Sequence, residues 1–283
     1  MSETTTTVRL HPWNAGFTWV DRTGPFLALG ADQVAQFDEE GYVVVPDLLD
    51  PATVERVRAE VDRYEQRMAD HLASLEGGRS AIAEAGAITF TTHLVARSDL
   101  LRDLSRHPRI VGICADLIGP DVNLYWDQAV YKKPEKPRRF PWHQDNGYAF
   151  VEPQQYLTVW VALTDATRAN GCPVVAPRFH RLGTLAHTYI DPLGWECLRD
   201  PEGAVAAEVP AGGAVVFSSL TPHLTGPNTT GTVRKAYILQ YAPRGAMVLR
   251  GDPRAGAATS REPCDAPDRQ YPVLVGGEPA PAS

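Results

Sequence analysis

Hydrophobic positions change their period partway along the chain. Before residue 122 they recur every three or four residues. Ala31 to Glu40 reads as a helix, and Gly41-Tyr-Val-Val-Val-Pro46 reads as a strand. A second helix then starts with Asp50 as N-cap and Pro51 in its first turn. Its residues Val54, Val57, Val61, Tyr64 and Met68 form one apolar stripe, as expected of a scaffold helix laid on a larger body. From Val122 onward the texture becomes short runs of β-branched and aromatic residues separated by Pro, Gly, Asn and Asp. These runs are Val122 to Tyr131, Tyr156 to Leu163, Cys172 to Ala176, Ala186 to Ile190, Val205 to Val209, Gly213 to Phe217 and Lys235 to Tyr241. Short strands preceded by helices predict a mainly β fold, a double-stranded β-helix (a jelly-roll, cupin-like barrel) flanked by α-helices.

The predicted organisation is a single domain over residues 1–283. Residues 1–30 form an N-terminal arm with Trp13, Phe17 and Trp19 as anchors, and 31–121 a mainly helical support. The jelly-roll core occupies 122–245, and the tail 246–283 is irregular, with a candidate docking strand at Tyr271 to Val275.

Composition narrows the function classes. A net charge of −7 argues against a nucleic-acid partner, which would need a basic face. No apolar run approaches the roughly 20 residues that span a bilayer, and no basic start is followed by an apolar stretch. The expectation is a cytoplasmic protein acting on a small molecule, with no membrane partner and an oligomeric state left open. Cys114, Cys172, Cys197 and Cys264 lack CxxC spacing and read as packing residues in a reducing compartment. Only Lys132, Lys133, Lys136 and Lys235 are lysines, and the Arg, Ala, Gly and Pro bias suggests a high-GC bacterial genome.

The strongest chemical signal is Pro141-Trp-His-Gln-Asp-Asn-Gly-Tyr148. On an extended segment residues i and i+2 point the same way, so His143 and Asp145 converge on one point. Such a pair asks for a third ligand. His223, after the apolar run Gly213 to Phe217, is the candidate; His180 and His187 compete with it. Two histidines and one carboxylate leave three adjacent positions open on iron(II), room for a bidentate co-substrate and O2. Arg234, at the start of the last strand, carries a planar fork suited to a dicarboxylate. Trp142, Asn146, Tyr148 and Phe150, beside the first two ligands, are candidate substrate-pocket residues. Lys132, Lys133, Lys136, Arg138 and Arg139 read as a basic loop, solvated or gripping an anionic group.

Several blocks in one order resemble the phytanoyl-CoA dioxygenase family of Fe(II)- and 2-oxoglutarate-dependent oxygenases. They are Gln128-Ala-Val-Tyr-Lys-Lys-Pro134, Trp142-His-Gln-Asp145, Leu157-Thr-Val-Trp-Val-Ala-Leu163 and Asn170-Gly-Cys-Pro-Val-Val-Ala-Pro-Arg-Phe-His180, followed by His223 and Arg234. The resemblance implies that His143, Asp145 and His223 hold Fe(II), and that Arg234 meets the distal carboxylate of 2-oxoglutarate. Thr225 would support that carboxylate, with Gln128 and Trp160 lining the co-substrate pocket. One block departs from the family, which has Pro-Gly-Ser-His where this chain has Pro177-Arg-Phe-His180. The implied reaction consumes O2 and 2-oxoglutarate and hydroxylates a C–H bond of a small organic substrate, as in a tailoring step of bacterial specialised metabolism. Two rivals remain: a zinc or manganese hydrolase or isomerase on the same barrel, and a non-catalytic module that binds a small ligand.

Overall fold

The computed structural model describes residues 8–134 and 141–281. Helix α1 spans Ala31–Glu40 and helix α2 Pro51–Ser74, where the periodicity places them. The Asp50 carboxylate caps α2, accepting from the Thr53 amide at 2.9 Å and the Thr53 hydroxyl at 2.6 Å. α1 stops at Gly41, where φ is 84° and an added Cβ would lie 2.5 Å from both His180 Nδ1 and Thr221 Oγ1. Only glycine meets both conditions. Helices α3 (Asp99–Leu104) and α4 (Pro108–Leu117) complete the helical layer.

A ten-stranded sheet forms the larger wall of the barrel. Its main strands are β1 (Tyr42–Val45), β2 (Ile88–Thr92), β3 (Val122–Lys132), β4 (Leu157–Ala162), β6 (Ala214–Ser218) and β8 (Arg234–Pro243). Their spatial order is β1-β6-β4-β8-β3-β2, all neighbours antiparallel. A smaller sheet faces it, with β5 (Pro173–Val175) between Val205–Ala206 and β7 (His223–Thr225). The alternation of side chains along β4 divides the interior. Leu157, Val159 and Val161 pack with Val57, Leu101 and Ile110 under the helices, whereas Trp160 and Ala162 face Val175 and Phe217 between the sheets.

Two regions contain more strand than their composition predicts. Within 31–121, β2 joins the large sheet beside β3, and a small hairpin (Arg79–Ser80 with Ala83–Glu84) extends it further. The tail is not irregular: Met247–Arg250 pairs with Ser260–Pro263 and with Val151–Glu152. β9 (Pro272–Val275) docks on β3. Ser260–Pro263 is exposed throughout, so its sequence lacks the alternating apolar face that announces a strand; its pairing comes from a distant partner. Conversely, the runs at 186–190 and 205–209 shrink to Thr188–Ile190 and Val205–Ala206.

Arg178 has φ of 73°, the left-handed region that glycine enters without strain, and it opens the short 3-10 turn Phe179–Leu182. Trp19 is buried, its indole nitrogen donating to Asp38 at 3.1 Å, while Trp13 donates to the Gly256 carbonyl at 2.6 Å. These contacts tie the arm to α1 and to the tail. No helix among the described residues is long and apolar enough to cross a membrane.

Candidate active site

Segment 141–143 runs alongside β7, and His143 and His223 form a directly opposed backbone pair. The His143 amide donates to the His223 carbonyl at 3.0 Å and the His223 amide to the His143 carbonyl at 2.8 Å. Opposed residues in an antiparallel pair carry their side chains on one face, which brings the two imidazoles within 4.3 Å, centroid to centroid. Gln144 has extended φ and ψ, so Asp145 returns to the side of His143. Gln144 itself points away and is locked: its side-chain amide donates to Gly183 and Leu220 and accepts from the Leu185 amide.

Single ligand atoms of His143, Asp145 and His223 all lie within 4.8 Å of one another. His143 Nδ1 is 3.1 Å from the Pro141 carbonyl and His223 Nδ1 is 3.0 Å from the Thr221 carbonyl. A carbonyl only accepts, so Nδ1 carries the hydrogen in both rings and Nε2 carries the lone pair. Asp145 Oδ1 lies 3.8 Å from His223 Nε2, while Oδ2 accepts from the Thr158 hydroxyl at 2.5 Å. That hydroxyl in turn accepts from Gln240 Nε2 at 3.2 Å. The donor set therefore fits a divalent metal, with its outer partners already in place. Burial, reinforced by neighbouring His223, holds His143 well below the usual imidazole range, so it is neutral at pH 7 as a ligand must be.

The competing histidines are engaged elsewhere. His187 Nε2 accepts from the Gln144 amide at 3.0 Å and its Nδ1 donates to the Leu185 carbonyl at 2.9 Å. His180 is fully buried, with Nε2 on the Asp38 carbonyl at 3.1 Å.

A cavity of about 540 Å³ opens beside the triad, bounded by Gln128, Thr158, Trp160 and Gln240 of the large sheet and by Thr225 of the small one. Along β8, Arg234, Ala236, Ile238 and Gln240 share one face; Ile238 and Gln240 line the cavity, and Arg234 is fully buried farther along. The Arg234 guanidinium carbon lies 5.0 Å from the Trp160 ring centre, and Nη1 donates to the Val130 carbonyl at 3.3 Å. Lys132 stands directly opposite Arg234 in the β3–β8 register, 1% exposed, with Nζ 3.2 Å from the Thr225 carbonyl and 3.5 Å from its hydroxyl. The guanidinium thus lies against Trp160 and the ammonium against Thr225, two residues that line the cavity, while Arg234 and Lys132 themselves sit behind its wall.

Lys132 is consequently a buried strand residue rather than part of a basic loop. Lys133 turns outward to Glu65 at 3.5 Å, and Lys136, Arg138 and Arg139 lie outside the described residues. Of the four aromatic and amide candidates for the substrate pocket, Tyr148 alone lines the cavity. The alternation that aims His143 inward sends Trp142 into a separate cluster with Ala176, Leu185 and Leu198. Asn146 braces its own loop, bonding Thr184 at 2.6 Å and the Val151 amide at 2.8 Å, and Phe150 packs on His11 and Trp13 of the arm. The far end of α2, read as scaffold, contributes Met68, His71 and Leu72 to the cavity wall.

Comparison with known proteins agrees with this geometry. Residues 37–236 match the family model described as phytanoyl-CoA dioxygenase. Among curated relatives, the methylphosphonate hydroxylase of Gimesia maris is 27% identical over 221 residues, covering 74% of this chain and 79% of that protein. A probable phytanoyl-CoA dioxygenase of Caenorhabditis elegans is 26% identical over 251 residues, covering 79% of this chain and 78% of its own. Among solved structures, the epimerase SnoN in complex with Fe3+, alpha ketoglutarate and nogalamycin RO superimposes with a TM-score of 0.65 at 25% identity, covering 85% of this chain and 97% of SnoN. A family match over most of the chain, a metal-competent triad and a jelly-roll fold agree: the chain belongs to the phytanoyl-CoA dioxygenase family of Fe(II)- and 2-oxoglutarate-dependent oxygenases.

Proposed function

We propose that the protein hydroxylates a C–H bond of a small organic molecule, with Fe(II) held by His143, Asp145 and His223. 2-Oxoglutarate occupies the cavity beside the triad, its distal carboxylate directed to Thr225 and to the buried Arg234 guanidinium behind Trp160. Iron, when bound with 2-oxoglutarate and O2, supplies the oxidising power that the side chains lack. The chain's own residues bind and orient. Pro141 and Thr221 carbonyls set both imidazole tautomers, Thr158 and Gln240 turn the Asp145 carboxylate, and Trp160 lines the cavity with the Arg234 guanidinium against its ring.

One observation carries this reading: the cavity beside the triad is walled by Trp160 and Thr225, and the buried Arg234 and Lys132 stand directly against those two residues. A zinc hydrolase has no use for a cationic carboxylate grip behind the same cavity wall. Succinate formation from 2-oxoglutarate, dependent on iron and O2, tests it. Arg234→Ala removes a charged hydrogen-bonding partner worth about 1.5–3 kcal/mol, so the apparent requirement for 2-oxoglutarate rises by about tenfold or more while that for iron stays put. Equal shifts in both requirements contradict the assignment.

A further inference from the structure

The β3–β8 register jumps at Tyr125: Gln240 faces Trp126 and the next residue, Tyr241, faces Leu124. Tyr125 is the extra residue of a β-bulge, a device that re-aims side chains. Its effect is visible along the strand. Leu124 packs under the helices and Asp127 bonds the Leu94 amide on that same side, yet Tyr125 and Trp126, two consecutive residues, both line the cavity. Tyr156, just before β4, comes in from beyond β8, which lies between β3 and β4, and the two phenol rings meet edge to face with centroids 5.3 Å apart.

Both tyrosines are more than nine-tenths buried, at 8% and 3% exposure. Neither hydroxyl is hydrogen-bonded to another described residue, and both side chains line the cavity. The rest of the wall is chiefly apolar, including Met68, Leu72, Ile82, Phe90 and Trp126. Among the described residues lining it, Asp145 of the metal triad is the sole carboxylate, and neither lysine nor arginine is present. The volume falls in the range of roughly 300–1,000 Å³ typical of sites for drug-sized molecules.

Building on the oxygenase reading, we infer that Tyr125 and Tyr156 are positioning residues whose hydroxyls hold an oxygen atom of the substrate. The substrate is a neutral, mainly apolar ring system carrying a carbonyl, hydroxyl or ether group, not a phosphate-bearing or carboxylate-bearing molecule. An acceptor oxygen pairs with two phenol donors that bond no other described residue, and the apolar wall takes the ring carbons out of water. The phenols hold the ring system by its oxygen, which fixes the C–H bond presented to the metal.

Two ring systems that differ only in a carbonyl test this: 9-fluorenone and fluorene, with hexadecanoyl-CoA as the charged comparison. Binding is measured by equilibrium dialysis to protein loaded with Fe(II) and 2-oxoglutarate under nitrogen. Wild type binds fluorenone about three- to tenfold more tightly than fluorene, and Tyr125→Phe combined with Tyr156→Phe abolishes that preference while leaving fluorene binding unchanged. Three results overturn the inference: equal binding of both rings by wild type, a preference that survives in the double variant, or tighter binding of hexadecanoyl-CoA than of either ring. Failure of both rings to bind overturns it as well. The visible charge-transfer band of the iron–2-oxoglutarate chelate is read in the same samples. A normal band without ring selectivity sinks the phenol anchor alone, whereas no band in wild type sinks the oxygenase reading on which it rests.

Discussion

Thr158→Val probes how the metal-binding carboxylate is aimed. The Thr158 hydroxyl is 2.5 Å from Asp145 Oδ2 and receives a hydrogen bond from Gln240 Nε2 at 3.2 Å. Because Gln240 donates to that oxygen, the hydroxyl hydrogen is committed to the carboxylate, leaving Oδ1 on the side of His223. Valine keeps the shape and deletes the donor. A hydrogen bond to a charged group contributes about 1.5–3 kcal/mol, and outer partners of this kind alter metal affinity by about 10–100-fold. The two figures agree at about 1.4 kcal/mol per decade. Thr158→Val therefore weakens Fe(II) binding at least about tenfold, measured anaerobically by competition with a chelator, while the urea midpoint of the metal-free protein moves little. Iron affinity within twofold of wild type would refute the view that Thr158 aims the carboxylate.

Other perturbations follow from the same geometry. Gly147→Ala places a Cβ 2.1 Å from the His187 ring, which the Gln144 amide holds in place; overpacking of this kind costs about 1–3 kcal/mol, visible as a lower urea midpoint together with weaker iron binding, and unchanged values for both would contradict it. Thr91 buries a hydroxyl with no partner among the described residues, so Thr91→Val raises stability by about 1 kcal/mol in denaturant titration; a loss of stability would show that the hydroxyl is satisfied in solution. His180 is pushed by burial from 6.5 down to about 4, so between those values the unfolded chain holds a proton that the folded chain does not. Stability accordingly falls as pH drops through that window, by about 2 kcal/mol at pH 5 for this one group, and equal urea midpoints at pH 7 and 5 would contradict the assignment.

Local signals in the sequence locate what is locally determined. α2 is legible because Asp50 and Pro51 announce its start, and His143 and Asp145 are legible because i and i+2 share a side wherever the backbone is extended. What escapes is set by partners far along the chain. Tyr125 enters the cavity only because β3 bulges against β8, a property of two strands and of neither alone. Lys132 looks like the first residue of a basic loop, yet its register opposite Arg234 buries it beside Thr225. β2 reads Ile-Thr-Phe-Thr-Thr in a helix-rich stretch, and its place in the sheet comes from pairing with β3 far along the chain, Ile88 with Lys132 (132 − 88 = 44 residues on) at one end and Thr92 with Gln128 (128 − 92 = 36) at the other. Phe150 and Trp142 show the converse: closeness in sequence to a ligand does not decide the face, and both serve other clusters.

The most direct measurement of the central claim needs no substrate. Fe(II) and then 2-oxoglutarate are added without O2 to wild type and to His223→Ala, and the visible metal-to-ligand charge-transfer band of the chelate is recorded. The geometry predicts a band in wild type that is lost in His223→Ala. Folded, iron-loaded wild type with no band, or a band of full strength in the variant, would contradict it.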